Sequence, residues 1–212
     1  MNTKYLCLAA SLGLALAACA NLERSRDLAN PNVSGKVMAA QLCSQCHGVD
    51  GNSISPAFPK LAAQQKSYFI NQMKGFRDKQ RSDPAGEEYM WGLSRHLTDK
   101  QIDELADYFS SHASRPVASP IAAQDLAAGK DIFEKGFPEK QVIACTTCHG
   151  PQAEGIDTIP RLAGQHYDYI VKQLNVFQLN QGRPGTPMET VSHSLTDENK
   201  AAVAAYLQSL VK

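Results

Sequence analysis

The chain of 212 residues repeats itself, and that repeat limits what it can fold into. Pro59-Lys60-Leu61-Ala62-Ala63-Gln64 returns as Pro160-Arg161-Leu162-Ala163-Gly164-Gln165, and Tyr68-Phe69-Ile70 as Tyr169-Ile170-Val171. Gln72-Met73-Lys74-Gly75-Phe76 returns as Gln173-Leu174-Asn175-Val176-Phe177, and Leu97-Thr98-Asp99 as Leu195-Thr196-Asp197. Corresponding residues stay 98 to 102 positions apart, so only small insertions separate the copies. A duplication of this length predicts two small domains of one kind. They meet at Ser114-Arg115-Pro116-Val117-Ala118-Ser119-Pro120, where two prolines among small residues predict an extended linker. The expected division is 1–19 signal peptide, 20–33 tether, 34–114 first domain, 115–121 linker and 122–212 second domain.

Each copy contains Cys-x-x-Cys-His: Cys43, Cys46 and His47 in the first, Cys145, Cys148 and His149 in the second. The pattern is the attachment signature of c-type haem. Two thiols add across the two haem vinyl groups, and the adjacent imidazole is held over the iron. Two copies predict two covalent haem c groups. A thioredoxin-like reading needs a βαβ pattern, which the chain lacks. A zinc site would need pairs that lie in separate domains to converge.

A second axial ligand is sought among the five methionines. Met1 lies in the signal, Met38 shares a segment with the first motif, and Met73 faces Leu174 in the repeat. Met90 and Met188 each lie seven residues before the Leu of Leu-Thr-Asp and come after loop-like stretches. A thioether presented from a loop opposite the histidine suits His/Met ligation, which raises the potential. His96, His112, His166 and His193 have no histidine counterparts, so they are expected on the surface or facing a helix. Pro59 and Pro160 lie 12 and 11 residues past the haem histidines. Either carbonyl can accept the ring N–H of its histidine; a plain turn proline is the alternative.

Both copies are predicted to be helical. Ser34 caps a helix through Val37, Met38 and Leu42 into the first motif. Residues from about Gln65 to Lys79 place Phe69, Met73 and Phe76 on one face. Thr98 caps the last helix with Gln101 in a capping box, and Ile102, Leu105, Ala106 and Phe109 form its apolar stripe. No sustained alternating run predicts a strand. Lysines and arginines equal acids at 21 each, so bulk charge offers no case for nucleic acid. Lys74, Arg77, Lys79 and Arg81 form a basic run, either a docking patch or a solvated helix face.

The apolar stretch Leu6 to Ala18 has signal-peptide length and is too short to span a bilayer as a standard helix. Leu16-Ala17-Ala18-Cys19 resembles a bacterial lipobox, which would make Cys19 a lipid anchor. Cleavage after Ala20 is the alternative. Both predict a bacterial periplasmic location.

With these residues in place, the chain from about Ser34 onward resembles the two-haem cytochrome c4 family. The resemblance implies an all-α fold of two tandem class I cytochrome c domains, each wrapped around one covalent haem. It implies Met90 and Met188 as ligands, carbonyl acceptors at Pro59 and Pro160, and haems facing each other across the domain interface. The expected activity is electron transfer without bond chemistry. Expected partners are a quinol-oxidising complex upstream and a terminal oxidase or reductase downstream. The alternative is the cytochrome subunit of a periplasmic dehydrogenase. A two-haem peroxidase needs an open iron, against which the paired methionines argue.

Overall fold

The computed structural model describes residues 27–117 and 123–210. The signal segment and Cys19 lie outside the described residues, as does the latter part of the expected linker, 118–121. Among the described residues the chain is helical, with only isolated bridges at Phe137–Val142 and Ile156–Ile159.

In the first copy, α1 (Gly35–Met38) runs through a π-helical turn (Ala39–Cys43) into α2 (Ser44–His47). Helix α3 (Lys66–Arg77) comes next, then a second π-helical turn (Gly86–Met90), α4 (Trp91–Ser94) and α5 (Asp99–Ser110). The second copy has α6 (Ala123–Lys135), a 3-10 turn (Pro138–Lys140), α7 (Thr146–His149), α8 (Tyr167–Gln178), α9 (Met188–His193) and α10 (Asp197–Ser209).

The starts of α5 and α10 are set by local chemistry. Thr98 accepts from the Gln101 N–H while the Gln101 side chain reaches back, and Thr196 and Asn199 repeat the capping box. Gln101 does more than cap. It is buried, and its Nε2 donates to the carbonyls of Asn30 and Val33 at 2.9 Å. Val33, expected at the end of the tether, therefore packs into the first core.

In each domain the first helix crosses the last, α1 on α5 and α6 on α10. A glycine sits at both crossings. A Cβ on Gly35 would lie 2.6 Å from Glu104 Cβ, and one on Gly129 would lie 2.0 Å from the Ala202 carbonyl oxygen. Only a residue without a side chain permits this approach.

Two cores result. One gathers Met38, Phe69, Met73, Phe76, Ile102, Leu105 and Phe109; the other gathers Ile132, Phe133, Val142, Ile170, Leu174, Val203 and Leu207. The extra stretch of the second copy folds back on itself through the Phe137–Val142 bridge and buries Val142. The described start of the linker is strapped to the first domain. Arg115 pairs with Asp50 at 2.6 Å, and its N–H donates to Asn52 at 2.8 Å.

Candidate haem sites

Helix α2 is one turn long and places Cys43 and Cys46 on one side, with His47 closing it. Gly48, at φ 77°, ends the turn, and Gly150, at φ 79°, ends α7 in the same way. None of the four described cysteines is engaged in a disulfide. Burial pushes the Cys43 and Cys145 thiols up to about 11, so both are neutral at ordinary pH.

His47 and His149 are buried. Nδ1 of each lies 2.9 Å from a proline carbonyl oxygen, His47 on Pro59 and His149 on Pro160. A carbonyl only accepts, so Nδ1 carries the proton and Nε2 keeps its lone pair. Burial lowers both imidazole pKa values, against the opposing effect of the carbonyl bond. Each ring is therefore a neutral ligand with one nitrogen oriented and the other available.

The proline carbonyls are themselves placed by the backbone. The Gly51 carbonyl accepts from the N–H groups of Leu61 and Ala62 at 2.7 and 3.1 Å. The Ala153 carbonyl accepts from Leu162 and Ala163 at 2.8 and 3.0 Å. The Ala63 N–H bonds Phe109 and the Gly164 N–H bonds Leu207, which ties each segment to the last helix.

Met90 and Met188 were expected on loops. Instead, Met90 ends a π-helical turn and Met188 opens α9. A hydrogen bond that the spacing did not reveal anchors both. Buried Ser94 donates to the Met90 carbonyl at 2.7 Å, and buried Ser192 donates to the Met188 carbonyl at 2.6 Å. Cys43 and Met90 pack against the first core, Cys145 and Met188 against the second, so each half gathers its own candidates. Among the described residues, no group of three or more His, Cys, Asp or Glu comes together as a separate metal cluster.

This donor set fits haem c. Each half offers two thiols one helical turn apart, a neutral imidazole free at Nε2, and a thioether on the same core.

Two surface expectations are corrected. His166 was expected on the surface or facing a helix, but it is 3% exposed at the domain interface. Its Nε2 lies 2.9 Å from both the carbonyl and the hydroxyl oxygen of Ser53. Arg81 belonged to a run read as a docking patch or a solvated face, but it is buried and paired with Asp83 at 2.6 Å. The remaining run is occupied near its own helix. Lys74 and Arg77 pair with Asp99, and Lys79 lies over Trp91.

The resemblance implied a domain interface, but sequence reasoning did not identify the residues that build it. It has approximate two-fold character. Gln64 bonds the Arg161 backbone at 2.8 and 3.0 Å, and Gln165 bonds the Lys60 backbone at the same two distances. The available signal was polar identity kept between the copies, as at Gln64/Gln165, Tyr68/Tyr169 and Gln72/Gln173.

The family model for cytochrome c matches residues 33–113 and 126–211. The chain is 40% identical over 169 residues to cytochrome c-552 of Acidithiobacillus ferridurans, covering 79% of this chain and 73% of that protein. It is similar to the solved cytochrome c4 of Acidithiobacillus ferrooxidans, with a TM-score of 0.74 and 40% identity over 79% of this chain and 98% of that one. It is 33% identical over 175 residues to a thiosulfate dehydrogenase electron acceptor of Thiomonas intermedia, covering 79% and 78% of the two chains. The duplication, the paired attachment motifs and these similarities agree: the chain belongs to the cytochrome c family, as a cytochrome c4 with two tandem domains and two covalent haem c groups.

Proposed function

We propose that the iron of the first domain is held between His47 and Met90, that of the second between His149 and Met188, and that the chain shuttles electrons in a bacterial periplasm. The observation that supports this most is a geometry found twice: an imidazole oriented by a proline carbonyl, and a methionine with a serine-anchored backbone on the same core. The haem supplies a one-electron iron couple. The residues of the chain supply the rest. Pro59 and Pro160 hold each ring in the tautomer that binds metal, and the thioethers favour the reduced state. With His47 and Met90 holding one iron and His149 and Met188 the other, these residues would leave no iron site open to substrate, and the haems would exchange electrons only.

The donor in this reading is a quinol-oxidising membrane complex and the acceptor a terminal oxidase or reductase. Cys19 tethers the protein to the membrane as a lipoprotein. A second reading, acceptor subunit of a dehydrogenase, is favoured by the relative named a thiosulfate dehydrogenase electron acceptor.

The holoprotein is mixed with bacterial membranes supplied with quinol, then with oxidase-containing membranes. Reduction in the first and reoxidation in the second are expected. Reduction only by a dehydrogenase that co-purifies with it selects the second reading. The tether predicts an added lipid mass on the N-terminal peptide that disappears in Cys19→Ser.

A further inference from the structure

We infer that Asp83 tunes the reduction potentials of the two haems through a pair of arginines that crosses the domain interface. The inference rests on the proposed ligation by Met90 and Met188, which sets an iron beside each methionine segment, and not on the identity of the partners.

Arg81 lies between α3 and the turn that carries Met90. Its guanidinium stacks 4.4 Å from the Phe76 ring centre and donates to Gln72 at 2.7 Å. Across the interface it reaches Gln173 at 3.2 Å and the Tyr169 hydroxyl at 3.4 Å. Arg183 answers from the second domain. It stacks 4.5 Å from the Phe177 ring centre and donates to Gln173 at 2.7 Å. It crosses to Gln72 at 2.9 Å and the Tyr68 hydroxyl at 3.2 Å. Each glutamine oxygen thus accepts from both guanidiniums. Carboxamides and phenols orient the two cations without neutralising them.

The symmetry fails in charge. Asp83, 1% exposed, bonds Arg81 Nε at 2.6 Å. At the same offset from Arg183 stands Gly185, and among the described residues Arg183 has no ion pair. Among the described side chains of this network Asp83 is the single carboxylate, and it is bonded to Arg81 alone. Burial pushes both interface hydroxyls up while the two arginines pull them down; the arginines prevail at Tyr68 and burial prevails at Tyr169.

This charge sits between the two methionine segments. The Asp83 carbonyl accepts from Glu87 N–H at 2.9 Å at the start of the Met90 turn. Trp91, next to Met90, donates from Nε1 to the Arg81 carbonyl at 2.8 Å. Arg183 lies five residues before Met188, and the Ser82 N–H donates to the Gly182 carbonyl at 2.8 Å to join the two segments.

Reduction adds one electron to a haem, taking Fe(III) to Fe(II) and lowering its charge by one. In a poorly screened interior a cation beside a haem favours the reduced form and a carboxylate disfavours it. Asp83 holds that effect in check.

Potentiometric titration of the holoprotein tests this. Asp83→Asn keeps the shape and a hydrogen-bonding oxygen while removing the negative charge, so both midpoints are expected to rise. Arg183→Gln is expected to lower both. The idea fails if Asp83→Asn leaves both midpoints where they are. It fails equally if the two variants shift them in the same direction, as simple opening of the interface to water would. If Arg183→Gln does not load haem, the Asp83→Asn result decides alone. Lost axial ligation would show as a lost iron–sulfur charge-transfer band, distinct from a moved midpoint.

Discussion

Ala63 and Gly164 occupy one position of the repeat and one backbone conformation, at φ 57° and φ 73°. The left-handed region is strained for alanine and open to glycine. The first copy tolerates the strain because this turn hands the Pro59 segment to the last helix through the Ala63–Phe109 hydrogen bond. Ala63→Gly is expected to stabilise the first domain by on the order of 0.5–1 kcal/mol, read as a higher thermal midpoint of the holoprotein. An unchanged or lower midpoint would contradict the strain argument. Met90 and Met188 invite a second substitution at this scale. Replacing either with alanine is expected to remove that haem's share of the long-wavelength iron–sulfur band in the ferric protein. If neither change touches the spectrum, the ligands lie elsewhere. The cysteines and histidines were legible in the sequence because covalent attachment demands fixed residue types at fixed spacing, whereas Met90 and Met188 stood out only by their equal distance from Leu-Thr-Asp. Ser94 and Ser192 were not, since a hydroxyl bonded to its own helix leaves no pattern that distinguishes it from a surface serine.

Helices were legible from capping residues and apolar spacing, and α5 starts where Thr98 and Gln101 place it. Their irregularities were not. Both π-helical turns of the first copy end in a candidate haem residue, Cys43 and Met90. Such turns insert one residue into a helix and shift the register of the turns beyond it, a common device at functional sites. In the second copy the extra stretch after α6 does the same work by breaking the helix before Cys145. The glycine crossings were equally hidden, because a single glycine in a helix shows no sign of what it touches. Gly129→Ala would drive a methyl group into the α10 backbone. Overpacking of this kind costs about 1–3 kcal/mol. The variant is expected to unfold its second domain at lower temperature while the first keeps its transition. Equal loss in both domains would mean that α6 and α10 do not act as a local unit.

At the scale of the molecule, the duplication announced two domains but not how they meet. The interface is built from polar residues 88 to 115 positions apart, such as Arg81 with Tyr169 and Arg183 with Tyr68. No local period encodes such contacts, and this is why Arg81 and His166 read as surface residues. His166 gives the interface a pH dependence. The Ser53 hydroxyl donates to the Phe58 carbonyl at 2.8 Å, so the His166 Nε2–H must donate to Ser53. Burial, opposed by the Ser53 carbonyl bond and helped by Lys60, holds its pKa below the ordinary 6.5, with Asp168 pulling the other way. The folded ring stays neutral at a pH where the unfolded ring already binds a proton. The stabilisation is therefore complete above the unfolded value and is lost as pH falls through and below about 6.5. Thermal unfolding of the holoprotein between about pH 7.5 and 5.5 is expected to show a falling midpoint that is flatter in His166→Gln. Parallel curves for the two proteins would remove His166 as the source of the acid sensitivity.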